Sequence, residues 1–175
     1  MKKISLFIAM SLDGYIADRK GSVDWLNTQN TEEDVDVYSD FVKDIDTVIM
    51  GWNTYHQIVT ELSPNEWIYD DLITYVVTHK TQASSNKIRF TNENPIDLLR
   101  KLQKEDGKGI WICGGANLIQ QLVKEDIIDC YYITVIPIIL GSGIRLFGET
   151  DHEIKLKLLK TQSYNGMTDL IYTKR

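Results

Sequence analysis

The chain has 175 residues, of which 43% are hydrophobic and 25% are charged. This length fits a single domain over residues 1–175 with one substantial core, and the composition excludes collagen-like, coiled-coil and disordered chains. The net charge of −6, from 19 basic and 25 acidic residues, disfavours a protein that binds nucleic acid through the phosphates. We therefore expect a globular protein without a nucleic-acid partner.

The two cysteines and the two long apolar runs indicate a cytoplasmic protein without a membrane span. Cys113 and Cys130 are too few for a disulfide framework and have no metal-type partner at short spacing, so we expect reduced thiols and no metal site. The apolar run after Lys2-Lys3 lacks a signal-peptide cleavage site and ends at Asp13-Gly14, as a buried strand does. The run from Tyr131 to Leu140 is well short of the ~20 residues that cross a bilayer.

Strand-like and helix-like segments alternate along the chain. In chain order, the predicted strands are Ile4–Met10, Thr47–Met50, Ile73–Thr78, Lys87–Phe90, Gly109–Cys113 and Cys130–Ile136. A helix is predicted over Glu32–Ile45, where apolar residues recur at three- and four-residue steps. A second helix begins at Asn94-Pro95, a cap followed by a first-turn proline, and is expected to stop at Gly107. The helical pattern repeats from Ala116 to Lys124.

The last part of the chain has a different pattern. Two strand-like segments, Glu153–Gln162 and Met167–Lys174, flank Asn165-Gly166, which is the strongest short signal for a tight hairpin. Elsewhere, apolar strands that alternate with helices predict a parallel sheet covered on both faces. The expected fold is a three-layer α/β/α domain with a mixed, mainly parallel sheet and a C-terminal antiparallel hairpin.

Candidate ligand contacts lie where the predicted strands end, because ligands of open α/β sheets collect there. After the strand that ends at Met50, Gly51 permits a sharp turn, and either Asn53 or Thr54 is expected to cap a new helix. The N-terminus of that helix suits a phosphate. An ordinary strand-to-helix turn has the same residues.

A double glycine follows the strand that ends at Cys113. Gly114-Gly115 lets the backbone approach a planar or phosphorylated ligand, and the helix from Ala116 offers further N–H donors. The same pair also suits a plain turn, and the chain has no G-x-G-x-x-G dinucleotide motif. Another strand end carries Thr78-His79-Lys80, which suits an extra phosphate on an adenosine ribose but also a solvated surface.

The turn after the first strand offers a different kind of surface. Asp13-Gly14 reverses the chain, so that Ala9 and Ile16 can form the walls of a flat pocket. Trp25 follows in a loop, where an indole covers either a ligand or an edge of the core.

Taken in order, these motifs resemble those of the dihydrofolate reductase superfamily. They are Ala9 with Asp13-Gly14-Tyr15-Ile16, Val48-Ile49-Met50-Gly51 with Thr54-Tyr55, Val77-Thr78, Ile112 with Gly114-Gly115-Ala116, and Tyr132-Ile133-Thr134. The opening Ser11-Leu12-Asp13-Gly14 and the stretch Ile136–Phe147 are closer to the C-terminal reductase domain of the bifunctional riboflavin-biosynthesis deaminase–reductase. The match extends from near the start of the chain to the final hairpin.

The resemblance implies a reductase that uses NADPH and acts on a small molecule. The residues that it places at the cofactor are Ala9, Ile16, Gly51, Trp52, Asn53, Thr54, Thr78, His79, Lys80, Cys113, Gly114, Gly115, Ala116, Asn117 and Leu118. Ala9 and Ile16 would touch the nicotinamide ring, and the Gly-Gly peptide bond is commonly cis in the family. The residues expected on the substrate side are Asp13, Trp25 and Tyr38, with Thr134 facing the substrate as a catalytic residue.

Two positions depart from the family pattern. Many members have arginine directly after the Met-Gly pair, where it meets a cofactor phosphate, whereas this chain has Trp52, which could stack on adenine. The positive charge would then come from Lys80, Lys87 or Arg89. Folate reductases also have a carboxylate on the first helix, and that position falls on Val35. A one-residue shift makes Asp34 the candidate catalytic acid, although an acidic solvated face has the same residues.

The leading functional hypothesis is hydride transfer from NADPH to a ribosylamino-pyrimidine or another small heterocycle, as in riboflavin biosynthesis. The alternatives are a dihydrofolate reductase and a non-catalytic NADPH-binding protein. The bulky apolar residues of Tyr131–Leu140 also suit a subunit interface, so a homodimer is expected.

Overall fold

The computed structural model describes residues 1–28 and 32–175, which form ten strands and four α-helices. The strands are β1 (Ile4–Ser11), β2 (Tyr15–Ala17), β3 (Ile45–Gly51), β4 (Ile73–Val77), β5 (Ile88–Thr91), β6 (Gly109–Gly114), β7 (Cys130–Ile136), β8 (Ile144–Arg145), β9 (Leu156–Tyr164) and β10 (Met167–Lys174). The helices are α1 (Val37–Val42), α2 (Trp52–Gln57), α3 (Pro95–Leu102) and α4 (Ala116–Lys124). A 3₁₀ helix (Asp24–Thr28) follows β2, and a π-helical turn (Ile58–Leu62) follows α2.

Eight strands form one sheet in the order β5-β4-β3-β6-β1-β7-β10-β9. The first six of these are mutually parallel, and β10 and β9 join antiparallel at the end. The short strands β2 and β8 pair separately. The predicted mixed sheet with a C-terminal antiparallel hairpin is therefore confirmed.

Helices cover both faces of the sheet. On one face, apolar side chains of α3 and α4 such as Leu99 and Ile119 pack on β1, β3, β6 and β7. On the other face, Phe41 of α1 and Ile58 pack against Val48 and neighbouring strand residues. Alternate residues of each parallel strand thus enter two separate cores, and the predicted three-layer α/β/α architecture is confirmed.

The helix predicted over Glu32–Ile45 is wrong at both ends. The Asp36 carboxylate accepts a hydrogen bond from Ser39 N, which starts α1 at Val37. Ile45 instead begins β3 and pairs with Gly109 of β6. Val35 is 45% exposed, so the three- and four-residue spacing continued beyond the residues that are buried as one helix face.

Three smaller expectations also differ from the structure. Helix α3 ends at Leu102, and Gly107 lies beyond it, where a Cβ atom would approach Asp46 Oδ2 to 2.3 Å; close approach, not helix termination, requires that glycine. The first strand of the hairpin begins at Leu156, three residues later than predicted. Cys130–Ile136 is paired on both sides as β7, so this part of Tyr131–Leu140 is inside the sheet and not available as a subunit interface. Within the described ranges, every helix is too short or too polar to cross a bilayer.

Candidate cofactor and substrate site

The two glycine turns predicted at the cofactor lie side by side. Met50 of β3 is the register partner of Gly114 of β6, so both strands end at the same level of the sheet. A Cβ atom on Gly51 would be 3.8 Å from Gly115 N. Thr54 Oγ1 would be 3.3 Å from a Cβ atom on Gly114 and 3.2 Å from one on Gly115. The two turns therefore form one surface at which the backbone is open to approach.

Helices α2 and α4 both start at this surface with a glycine at the N-cap position, Gly51 and Gly115. Glycine has no side chain with which to occupy the first N–H groups of a helix. By contrast, the side chains of Asp36 and Asn94 accept hydrogen bonds at the starts of α1 and α3. The expectation that Asn53 or Thr54 caps the helix is wrong, because both residues lie inside its first turn.

The glycines differ in why they are needed. Gly51 has the ordinary extended angles φ −82° and ψ 169°, so the sharp turn expected from its flexibility is not present. Gly114 has φ +143°, a conformation that residues with a side chain rarely adopt. The Gly114–Gly115 peptide bond is cis, as the family resemblance implied.

A third turn, after β4, meets the first two through Trp52. Lys80 Nζ lies 5.3 Å from the centre of the Trp52 ring, and the backbone of Lys80 donates to Thr78 Oγ1 (3.1 Å). Thr78 is buried, whereas His79 and Lys80 are exposed. Of the three cations considered in place of the family arginine, Lys80 is the one at Trp52.

The other two cations are engaged elsewhere. Lys87 Nζ donates to the carbonyl of Asp70. Arg89 donates to Tyr75 OH (2.7 Å), and its guanidinium lies 5.4 Å from the centre of that ring.

The remaining predicted cofactor residues have different exposures. Ala116 is half-buried and Asn117 is exposed at the start of α4, while the side chain of Leu118 is part of the core. Burial raises the pKa of the Cys113 thiol to about 12, and Tyr69 OH lies 3.9 Å from its sulfur. Cys113 is consequently a protonated strand-end residue and not a nucleophile.

At the end of β1, Asp13 holds the chain segment that follows β7. Its carboxylate accepts hydrogen bonds from Ser11 Oγ (2.6 Å), Leu140 N (3.0 Å) and Gly141 N (2.8 Å). The Ser11 hydrogen bond, with smaller contributions from the two backbone N–H groups, lowers the pKa of Asp13 to about 2. These contacts give Asp13 a structural role, and its contact with substrate stays a prediction. Ala9 and Ile16 are half-buried nearby in β1 and β2.

The predicted substrate residues are not all in one place. Trp25 is 8% exposed and covers an edge of the core, which leaves little of the indole for a ligand. Tyr38 is partly exposed and lies with its ring centre 6.2 Å from Phe7 and 5.7 Å from Trp111. Asp34 is exposed in the segment before α1, and the structure does not bring it to Thr134. Val37 is the α1 residue that lines the crevice beside Thr134.

The sequence analysis missed the polar group that Thr134 contacts. Thr134 Oγ1 donates to the carboxylate of Asp169 (2.6 Å), which also accepts from Gln162 and Tyr164 across the hairpin. One signal was present in the sequence: the Asn165-Gly166 turn fixes the hairpin register, so that Asp169 shares a face with apolar Ile171. A charged residue on the inward face of a strand is a candidate for function.

The fold and the arrangement of strand ends define a dihydrofolate reductase-like protein. The dihydrofolate reductase of Enterococcus faecalis, in a structure with NADP(H) and RAB-propyl, superposes with a TM-score of 0.66 at 15% identity, over 98% of this chain and 96% of that one. More specifically, residues 2–170 match the RibD C-terminal domain, and the chain belongs to that family.

Two relatives match nearly the full length of the chain. The uncharacterised protein YwjB of Bacillus subtilis (strain 168) is 42% identical over 176 residues, which cover 99% of this chain and 98% of that protein. The crystal structure of a protein provisionally assigned to riboflavin biosynthesis in Shewanella sp. PV-4 superposes with a TM-score of 0.85 at 29% identity, over 99% of both chains.

Proposed function

We propose that this protein is an NADPH-dependent reductase of a small heterocycle, of the type that riboflavin biosynthesis uses. The observation that carries this proposal is the surface formed by two neighbouring helix N-termini, each begun by a glycine, at Gly51 and Gly115. Free N–H groups and the positive ends of two helix dipoles favour an anion such as a pyrophosphate. Family membership and the NADP(H) in the Enterococcus structure support the same cofactor.

The residues present fit a dinucleotide phosphate along this surface. Gly114 and Gly115 leave open the space beside Thr54 Oγ1 that a side chain would fill. Lys80 at the face of Trp52 supplies the positive charge that distinguishes a phosphorylated ribose from an unmodified one. Trp52 offers an indole face for adenine.

When bound, the reduced nicotinamide supplies the hydride, and the protein's part is to fix distance and angle between donor and acceptor. Ala9 lies between the two sides of the site, in β1, with β6 on one flank and β7 on the other. Its small side chain leaves the sheet face low at that point. We expect the reactive ring to lie against Ala9 and Ile16, with Thr134 on the substrate side.

The test is a fluorescence titration with NADPH and with NADH, in which energy transfer from tryptophan to the reduced nicotinamide reports binding. We expect NADPH to bind more tightly than NADH. Gly115→Val should abolish binding of both cofactors, because its side chain would fill the space beside Thr54 Oγ1. Unchanged NADPH affinity in a folded Gly115→Val variant would show that this surface is not the cofactor site.

A substrate panel then separates the reductase from the alternatives. NADPH oxidation is followed by absorbance with ribosylamino-pyrimidines, dihydrofolate and simple carbonyl compounds. Turnover of the pyrimidines supports the proposed reaction, whereas turnover of dihydrofolate alone contradicts it in favour of a folate reductase. Tight cofactor binding without consumption on any member would instead indicate a non-catalytic NADPH-binding protein. The expected homodimer is measured on the same samples by light scattering.

A further inference from the structure

A buried carboxylate lies at the substrate end of the proposed site. Asp169 is 3% exposed and is the one buried acidic residue in the part of the chain that the structure describes. It accepts hydrogen bonds from Thr134 Oγ1 (2.6 Å), Gln162 Nε2 (2.8 Å) and Tyr164 OH (3.1 Å). Burial of a carboxylate is unfavourable without such donors, so this cluster specifies a negative group at one place.

The strand register puts this carboxylate level with the residue predicted at the nicotinamide. Asp169 is the partner of Thr134 between β10 and β7, and Thr134 is the partner of Ala9 between β7 and β1. Neighbouring strands lie about 5 Å apart, so Asp169 is roughly 10 Å from Ala9 along the sheet. A heterocycle that lies over Ala9 can span that distance with its far edge.

The cluster has hydrogen-bond acceptors to spare. A carboxylate has about four acceptor positions, and three are occupied at Asp169. Because the Thr134 hydrogen is directed to Asp169, the Thr134 oxygen can accept from a ligand. Burial, together with the negative charge of Asp169, raises the pKa of Tyr164 to about 12, so Tyr164 remains a donor to Asp169 at neutral pH.

A narrow crevice of about 170 Å³ leads to the cluster. Phe7, Val37, Tyr132 and Ile171 line it together with Thr134 and Asp169. Apolar and aromatic walls with an acceptor pair at one end fit the edge of a flat ring that donates hydrogen bonds. A whole ring needs more room, and Val37, at the start of the six-residue helix α1, is the wall residue nearest a chain end of that helix.

We propose that Asp169, with Thr134, binds and orients the substrate of this site by accepting hydrogen bonds from the N–H groups of an amino-substituted pyrimidine ring. This inference rests on the proposed reductase function, because it takes the crevice as the substrate end of the NADPH site. It assigns to β10 the carboxylate that the sequence analysis sought at Asp34, before the first helix. A site that presents buried acceptors discriminates strongly against analogues that lack the matching donors.

The test compares two rings of the same size, 2,4-diaminopyrimidine with N–H donors and 2,4-dimethoxypyrimidine without them. Binding to the full chain in the presence of NADP⁺ is measured by calorimetry or ligand NMR, at a pH at which both rings are neutral. We expect wild type to bind the diamino ring at least about tenfold more tightly, as is typical of hydrogen bonds to a charged group. No preference in wild type, or no binding of the diamino ring at millimolar concentration, would overturn the proposal.

Two variants decide whether Asp169 causes the preference. Asp169→Asn should reduce it to about twofold or less, because the amide directs a donor towards the donors of the ring. Asp129→Asn is the matched control: Asp129 also bridges strands, accepting from Ile4 N (2.9 Å), but it precedes β7 at the opposite end of the sheet. This variant should keep the preference even if it lowers Tm. A retained preference in Asp169→Asn would contradict the proposal.

The outcomes separate this inference from the proposed function. Asp169→Asn should leave the Kd for NADPH within about twofold of wild type, since the cofactor surface is built by other strands. If NADPH fails to bind wild type while the ring preference exists and depends on Asp169, the reductase proposal fails and Asp169 remains a ligand-binding residue. If NADPH binds and the preference is absent, only the assignment of Asp169 fails. Should Asp169→Asn not fold, Thr134→Val removes the second acceptor and is expected to reduce the preference severalfold.

Discussion

The cofactor side and the substrate side of the site are built in different ways. At the ends of β3 and β6, Gly51, Gly114 and Gly115 present backbone, and what matters is that side chains are missing. At β7 and the C-terminal hairpin, Thr134 and Asp169 present side chains that neighbouring strands hold in place. The first kind of surface depends on residues close in sequence, whereas the second depends on residues up to 35 positions apart. A substitution should therefore act by filling space on one side and by removing a partner on the other.

The largest expected effect on the cofactor side is that of Gly114→Ala. The residue would have to adopt φ +143°, and its methyl group would lie 3.3 Å from Thr54 Oγ1. We expect the Kd for NADPH to rise by about two orders of magnitude, because both the turn and the open space change. Titration by fluorescence, with circular dichroism to confirm folding, measures this.

Gly21→Ala is the control for backbone strain alone. Gly21 also has a positive φ of +84°, but no atom lies within 4 Å of an added Cβ. It should lower the free energy of unfolding by about 1–2 kcal/mol and leave NADPH affinity unchanged. Equal losses of affinity in the two variants would show that strain, and not the glycine surface, determines binding.

The next effect concerns charge on the cofactor side. Lys80→Met removes the cation at the face of Trp52 but keeps an unbranched apolar chain there. We expect the Kd for NADPH to rise about tenfold and that for NADH to change less than about twofold, because only NADPH has the additional phosphate. Lys87→Met, whose ammonium is bound to the Asp70 carbonyl, is the control and should not change the NADPH to NADH ratio. A similar loss for both cofactors in Lys80→Met would refute selectivity through this lysine.

The reach of the sequence analysis follows the same division. The parallel strands were predictable because each is a continuous apolar run, and the glycine turns because Gly51, Gly114 and Gly115 directly follow such runs. The start of α1 was not, because the Asp36 cap overrides an apolar spacing that extends to Val35. The Asp169 cluster was missed because its four members come from three strands, and only the register of β7, β9 and β10 brings them together.

A smaller effect is expected where the hairpin turn contacts the segment before α1. Asn165 accepts from Glu33 N (2.8 Å) and donates to Glu33 O (2.9 Å), which holds this segment beside the crevice. Asn165→Gly keeps the positive φ of 49° available and removes both side-chain hydrogen bonds. We expect a loss of about 0.5–1.5 kcal/mol per hydrogen bond at most, and faster amide exchange from Glu33 to Val37. Unchanged exchange in that segment would show that the contact does not restrain it.

The smallest expected effect is on stability and has a defined pH dependence. Asp13 has its pKa lowered from 3.8 to about 2, mainly by the Ser11 hydroxyl, so the folded state favours the ionised carboxylate more than the unfolded state does. The resulting stabilisation is present in full above about pH 4 and is lost as the pH falls towards 2. Asp13→Asn should therefore lower Tm at pH 7, and the difference from wild type should shrink in scans at successively lower pH. A difference that stays constant from pH 7 to pH 2 would mean that Asp13 holds Leu140 and Gly141 by shape alone and that its charge contributes nothing.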